Sequence, residues 1–560
     1  EDAFVLQKFG REVLGTPNID STARAADWPA LKAIRDAGLT PLDDLNAQVR
    51  KAEVIVVVGD ASQAADIASI KLQNSSRYSG ATIVQINPYR TQLSKWQTID
   101  IRCAPLGEAA VLAAIAARVA ELRAGASDAA AAPRISGTLP STPRPLEPAE
   151  NQAAELIANA RSVLFALCTG HWLRGRAADV GAALSNLVLA SGKISGEGTG
   201  VVFLPEKNNS MGTIEGGLLA DLLPGYKPAA APGETLDRML ADDSGVQALY
   251  VAGENIYDRR RGLPFLIVQD ILMSETAKRA DVLFPASSYA ERQGTFTNFE
   301  GRAQWFNRAI PPVGQSRPDW QITAELARRV AEKLGKDANG WSFRSVVDIT
   351  RQYEQATGKD IPDAPILPTG AGNPVGNLLH GPIATAQELR KPETPLGAQG
   401  DSRFNPRPAE DAGSVVEGDY RYQPVNFAPA VEGQMVLITG PQRWVNGATS
   451  RYADGLLGLY PTARVAMSPA DARELGIADN DEVRVSSATG GVLMTAEVTH
   501  EMPRGVALIP GYVQPSFVIS EGEAVAKLLG PNVGAAAVKI EKREERELGF
   551  AGFNRDAVAV

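Results

Sequence analysis

Two kinds of hydrophobic patterning divide the 560 residues. In the first, short uninterrupted apolar runs are followed by helical stretches. "AEVIVVVGDAS" carries the run Val54 to Val58 and stops at Gly59 and Asp60. "ATIVQINPYRTQLSKW" carries a second run closed by Asn87 and Pro88, and "EAAVLAAIAARVAELRAG" follows as an Ala-rich helix. A run that is apolar at every position suits a parallel strand buried on both faces. Alternating with helices, such runs predict a doubly wound α/β unit whose ligand cleft lies at the carboxyl ends of its strands. After residues 124–148, rich in Pro, Ala and Ser and without periodicity, the grammar repeats. "ARSVLFALCTG", "VQALYVAGENI", "LPFLIVQDI" and "ADVLFPASS" read as strands, "ADVGAALSNLVLASGKI" as a helix, and Pro318 with Asp319 opens a helix over residues 318–335.

The second pattern begins at Gln434. "QMVLITG", "TARVAMSP", "DEVRVSSATGGVLMTAEVTH" and "GVALIPGY" are short strands, several of them alternating, separated by turn residues such as Thr489, Gly490 and Gly491. One short helix, "SPADARELGI", is capped by Ser468 with Pro469 in its first turn. The predicted organisation is a first α/β lobe over 1–123, a linker over 124–148, a second lobe over 149–335, an extended connection over 336–433 and a β-barrel over 434–560. The opening "EDAFVLQKFGREVLG" reads as an amphipathic helix with Phe4, Val5, Leu6, Phe9 and Leu14 on one broad face. It lacks the basic start and apolar core of a signal peptide, and the polypeptide or its gene neighbour is expected to begin upstream.

Composition narrows the function classes. With 44% hydrophobic and 22% charged residues the chain is expected to pack throughout, and its net charge of −9 offers no basic footprint for nucleic acid. No apolar run is long enough to span a bilayer. Cys103 and Cys168 are the only cysteines, too few for an iron–sulfur cluster held by this chain alone, and they read as buried free thiols. His171, in "CTGHWLRGR", has no carboxylate or cysteine at a useful spacing and reads as a packed residue; His380 and His500 carry no assignment.

Taken together and in order, several segments resemble the molybdopterin-dependent oxidoreductase family. They are "VVVGDAS", "INPYRTQLSKWQTIDIRCAPLGEAAVLAAI", "KNNSMGTIEGGLLADLLPGY", "LYVAGENI", "ADVLFPASSYAERQGTFTNFEGRAQ" followed by "RPDW", and "MSPADARELGIADNDEVRVSSATGGV". The resemblance implies two doubly wound, Rossmann-like α/β lobes followed by a C-terminal barrel similar to the molybdopterin dinucleotide-binding domain. The same pieces occur in the large iron–sulfur subunits of respiratory NADH:quinone oxidoreductase, complex I, which use the fold without its metal.

The stretch "NIDSTARAADW" resembles the metal loop of formate dehydrogenases, N-V-D-H-C-A-R-V-(Cys or selenocysteine)-H. Asn18, Ile19, Asp20, Ala23 and Arg24 match it, while the chalcogen position falls on Ala26 and the histidine on Asp27, a carboxylate that is ionised if exposed. A methyl group donates nothing to molybdenum. The family's P-G-T-D reads Pro105, Leu106, Gly107, Glu108, and its histidine-containing run in the barrel reads "GPQRWVNGATSRYADG", with Trp444 and Val445.

The resemblance therefore implies no catalytic residue and no metal, with Ala26 as a lost ligand. Gly59, Asp60, Asn87, Pro88, Gly253, Glu254 and Asn255 become inherited pterin-site positions expected to hold no cofactor. "GDAS" and "AGENI" are expected to be turns, and "GTFTNFEGRAQW" a polar loop fixing the cleft's shape. The function expected is a cofactor-free part of the complex I large subunit that scaffolds cluster-bearing domains, with iron–sulfur clusters upstream on the same subunit or on partner chains. Its partners would be other peripheral-arm subunits, including the NADH-binding flavoprotein and iron–sulfur subunits. Its place would be the cytoplasmic face of the bacterial inner membrane, or the matrix side in a mitochondrion. The alternative is a catalytic molybdenum or tungsten pterin oxidoreductase of the formate dehydrogenase type.

Overall fold

The computed structural model describes residues 1–96, 98–124, 135–142, 144–173, 175–241, 243–256, 265–362, 419–427, 431, 433, 435–440, 453, 455, 464–510, 528–529 and 534–543. The opening helix α1 (Asp2–Lys8) runs into a π-helical turn, Phe9–Leu14. Phe4, Val5, Phe9 and Val13 are buried against Trp320, Trp341, Ile349 and Tyr353. Val13 lies four residues after Phe9 and shares its face, whereas Leu14, expected on that face, is 47% exposed.

Five parallel strands form the central sheet: β1 (Val54–Val58), β2 (Thr82–Ile86), β3 (Thr98–Ile101), β4 (Val163–Cys168) and β5 (Gly200–Leu204), in the order β3-β2-β1-β4-β5. All of β1, β4 and β5 is buried. Side chains alternate between the faces of the sheet. Val54, Val56 and Val58 meet the helices α2 (Asp27–Asp36), α3 (Glu108–Ala124), α4 (Pro148–Asn159) and α5 (Ala177–Ser191). Ile55 and Val57 pack on the other side with Leu45, Val49 and Leu72.

This sheet crosses the expected lobe boundary. "ARSVLFALCTG", expected to begin the second lobe, and the strand in "GTGVVFLP", which its sequence does not single out, are β4 and β5 of the first sheet. The reason is pairing: β1 is buried on both faces and bonded along both edges, from Val54↔Thr82 on one side and Val54↔Val163 on the other. The Pro/Ala/Ser-rich linker brings the chain back to the sheet it left.

The second sheet is smaller and also parallel: β6 (Leu249–Ala252), β7 (Leu266–Asp270) and β8 (Val282–Pro285), in the order β8-β7-β6. The antiparallel hairpin of β9 (Gly294–Thr297) and β10 (Ala303–Phe306) follows. Helix α6 (Asp319–Lys333) starts after Pro318, as its sequence predicts. Helix α7 (Val346–Thr357) corrects the expectation of an extended connection from 336. A capping box in which Ser345 and Asp348 bond each other's backbone N–H groups starts it, and Val346, Ile349 and Tyr353 anchor it. Residues 363–418 lie outside the described residues. The chain then returns to the first lobe, where Tyr420–Arg421 pairs with Ile135–Ser136 and Gln423 exchanges two 2.8 Å hydrogen bonds with Asn186.

The C-terminal strands close a six-stranded barrel, as expected: β11 (Met435–Gly440), β12 (Arg464–Met467), β13 (Glu482–Ser486), β14 (Gly491–Val498), β15 (Val506–Pro510) and β16 (Ala535–Lys542), in the order β11-β15-β12-β14-β13-β16. Leu437, Val465, Met467, Val483, Val485 and Ile509 fill it. Ser468 accepts from the Asp471 N–H at 3.1 Å to cap the helix Pro469–Glu474. The barrel docks on the first lobe, where Tyr89 and Leu106 meet Val436, Ile438 and Val506, and Arg90 N donates to Glu501 O at 2.9 Å.

Candidate functional site

The loop 18–27 is held open by the residues that match the family motif. Asn18 Oδ1 accepts from Glu234 N at 2.9 Å and Asp20 Oδ2 from Leu236 N at 2.7 Å. Arg24 spans Asp20, at 3.1 Å, and Asp221. The surviving motif residues therefore tie the loop to the segment 221–236. The two divergent positions turn inward. Ala26 is buried at the start of α2, its methyl among hydrocarbon. Asp27 is buried as well, so the exposure on which its ionisation was conditional is not met. It accepts from Thr169 Oγ1 and from Glu206 N at 3.0 Å, linking the loop to the ends of β4 and β5. Burial, with the nearby Glu206 carboxylate, pushes its pKa up to about 6.

The first crevice lies at the carboxyl ends of β1, β2 and β4. The winding reverses between β1 and β4, the switch point at which open α/β sheets take ligands. Gly59 and Asp60 leave β1 here and Asn87 and Pro88 leave β2, so four of the expected positions converge. Asp60 does not offer a phosphate cradle. Its buried carboxylate accepts from Ser62 N at 3.0 Å, from Ser62 Oγ and from Tyr89 OH at 3.3 Å, and burial raises its pKa. Asn87 Nδ2 donates to Tyr89 O at 3.0 Å. Glu108 is buried at 3.8 Å from Arg176 and beside the Cys103 thiol; burial raises both the Glu108 carboxyl and the thiol. The cavity among these groups, bounded on the barrel side by Ile438, Thr439 and Gly534, holds about 10 Å³.

The second crevice lies at the carboxyl ends of β6–β8 and gathers the other three expected positions, Gly253, Glu254 and Asn255, around a cavity of about 230 Å³. Asn255 Oδ1 accepts from Thr276 N at 3.1 Å and from Thr276 Oγ1 at 2.7 Å, while Glu254 pairs with Lys207 at 3.4 Å. Lys207 also donates to Thr22 Oγ1 at 3.1 Å, joining the second crevice to the loop 18–27. Sequence reasoning missed most of the other lining groups. Asp270 holds Ser274 Oγ at 3.0 Å, and Arg292 lies between Asp2 and Asp319, the latter at 3.2 Å. The buried Ser287 hydroxyl has no partner among the described residues. Asp270 could have been found, since it ends a buried strand; Arg292 could not, because its partner Asp2 lies at the far end of the chain.

The hairpin "GTFTNFEGRAQW" fixes shape by internal and external bonds. Asn298 Oδ1 accepts from Glu300 N and Arg302 N, each at 3.0 Å; Glu300 accepts from Leu45 N at 2.9 Å; and Asn209 accepts from Thr297 N at 2.9 Å. Cys103 and Cys168 are both buried free thiols. His380, Trp444, Val445 and the side chain of His171 lie outside the described residues. Among the described residues, no three His, Cys, Asp or Glu side chains are placed to hold a metal ion, and no helix is long and apolar enough to cross a membrane.

Residues 3–329 match the family described as molybdopterin oxidoreductase, and residues 435–537 match the molydopterin dinucleotide binding domain. The chain is 26% identical to the alpha subunit of F420-dependent formate dehydrogenase 2 from Methanococcus maripaludis, over 97% of this chain and 84% of that one. It is 25% identical to the NADPH-Fe(3+) oxidoreductase alpha subunit of Geobacter sulfurreducens, over 97% and 62% of the two chains. It is also 25% identical to the G 2 subunit of the NADH-quinone oxidoreductase of Rhizobium meliloti, over 91% and 58%. Acetylene hydratase from Pelobacter acetylenicus shares the fold, with a TM-score of 0.65 over 97% of this chain and 84% of that chain at 14% identity.

Proposed function

The chain belongs to the molybdopterin oxidoreductase family, and we propose that within it the chain is a non-catalytic scaffold, part of the large iron–sulfur subunit of an NADH:quinone oxidoreductase of the complex I type. The observation that carries this reading is the pair Ala26–Asp27. A buried methyl stands at the ligand position, and the carboxylate beside it is spent on Thr169 and the Glu206 backbone. A soft or anionic side chain would bind a pterin-held metal there, and a methyl donates nothing. The rest of the loop keeps its frame through Asn18, Asp20 and Arg24, as a part retained for its shape would.

On this reading the chain carries no redox centre. It positions cluster-bearing domains, on the same subunit or on neighbouring flavoprotein and iron–sulfur subunits, so that electrons pass from NADH towards quinone. The complex would stand at the cytoplasmic face of a bacterial inner membrane, or at the matrix side in a mitochondrion. Likeness to the rhizobial G 2 subunit supports it. The second reading, a molybdenum or tungsten enzyme of the formate dehydrogenase type, is favoured by likeness to the formate dehydrogenase alpha subunit of Methanococcus maripaludis.

Elemental analysis of the purified complex separates the two. The scaffold reading expects no molybdenum or tungsten; about one atom of either per chain overturns it. Ala26→Ser is expected to leave NADH:quinone turnover nearly unchanged, and a large loss in a fully assembled complex would contradict the reading.

A further inference from the structure

A parallel sheet offers its ligand crevice where the winding reverses, here between β1 and β4. In this chain an indole stands in that place. Trp172 follows β4 in the turn His171–Leu173, and its ring lies over the end of β1 so closely that a Cβ added to Gly59 would meet Trp172 Cζ2 at 2.5 Å. Gly59 itself has φ +90°, so the bend that ends β1 also requires glycine. From the barrel side, a Cβ on Gly534 would sit 2.5 Å from Trp172 O and 3.5 Å from Leu106 Cδ2.

Leu106 is the second occupant. Its φ is +66°, a left-handed conformation that leucine adopts rarely and glycine readily. The backbone thus keeps a glycine's shape while the side chain fills space beside the barrel residues Ile438 and Val436. What remains is about 10 Å³, the room of a single water. Trp172 Nε1 and Thr439 Oγ1, both buried and without partners among the described residues, border that space and can hydrogen-bond one water. A drug-sized ligand or cofactor needs roughly 300–1,000 Å³. The second crevice, at the carboxyl ends of β6–β8, keeps about 230 Å³, far more than the first.

We infer that Trp172 and Leu106 are an internal plug: they close the first-lobe crevice, leave it one bridging water, and exclude a pterin dinucleotide by volume. The family's cofactor therefore does not fit this half of the cleft. The inference deepens the scaffold reading and rests on it only in requiring an unloaded first lobe.

The experiment is thermal unfolding of the full chain, wild type against Trp172→Gly, each with and without millimolar indole. The plug expects the glycine variant to melt roughly 5–10 °C lower, indole to restore several degrees to it alone, and Trp172→Phe to stay near the wild type. Equal melting of wild type and Trp172→Gly, or an indole shift of the same size in both, overturns the plug. If the glycine variant does not accumulate, Trp172→Leu with benzene as the probe reads the same two outcomes. Absence of molybdenum together with an indole-insensitive glycine variant would remove the plug and leave the scaffold standing. A pterin released from the wild-type protein on denaturation, seen by its fluorescence, would remove both.

Discussion

Asp27, at the position that resembles the family's loop histidine, is engaged in structural hydrogen bonds. Burial raises its carboxyl to about 6, and hydrogen bonds from Ser210, Thr169 and the Glu206 N–H hold it in place. A carboxyl near 3.9 in the unfolded chain and near 6 in the folded one binds more protons when folded between those values. Its contribution to stability is thus fullest below pH 4, declines as pH rises, and is gone above about 6. Asp27→Asn keeps an acceptor for Thr169 and Glu206 N without the charge. Relative to the wild type it is expected to gain up to ~3 kcal/mol between pH 4 and 7, read from urea midpoints at the two pH values. No pH-dependent difference between the two proteins would show that Asp27 is not desolvated. The substitutions at Ala26 and Asp27 were legible in the sequence because a motif surrounds them. That Asp27 is buried was not, since Thr169 and Glu206 lie far along the chain.

At the scale of the element, Val54–Val58 declares itself: five β-branched apolar residues in a row suit a strand covered on both faces. What cannot be read from one run is its neighbours. β4 and β5 carry the same kind of apolar run as β1, and strand order depends on pairing that composition does not record. Val57→Asp places a charge at a residue buried in the centre of that sheet. It should cost several kcal/mol, and the soluble yield of the chain, and of any complex that depends on it, should collapse. Gly59→Ala faces two obstacles, a left-handed φ and the Trp172 ring. A loss of about 2–4 kcal/mol is expected in denaturant unfolding; a change within experimental error would mean that the ring moves aside freely. The helix α7 was missed for a related reason: its few apolar residues face Phe4 from the far end of the chain, and a Pro- and Gly-rich stretch follows it.

Over the whole molecule, among the described residues, Tyr89 joins the first lobe to the barrel, donating to Asp60 while its ring packs with Val436 and Ile438. Tyr89→Ala removes the ring and leaves a buried carboxylate short of a donor. About 3–5 kcal/mol of coupling should be lost, visible in calorimetry as a barrel transition parting from that of the lobes. A single unchanged endotherm would place the coupling elsewhere. Architecture on this scale was read correctly as two wound lobes and a barrel because strand periodicity changes at 434. The position of the division within the lobes was not, because a linker's composition says nothing about where the chain returns.

That return sets a limit on how the protein can be cut. Residues 1–123 look like a module, yet expressed alone they would present the Val163-facing margin of β1 with every amide and carbonyl bare. Such an edge is the template from which chains add to one another. Two fragments split inside the linker could succeed only if synthesised together, each supplying the strands the other lacks.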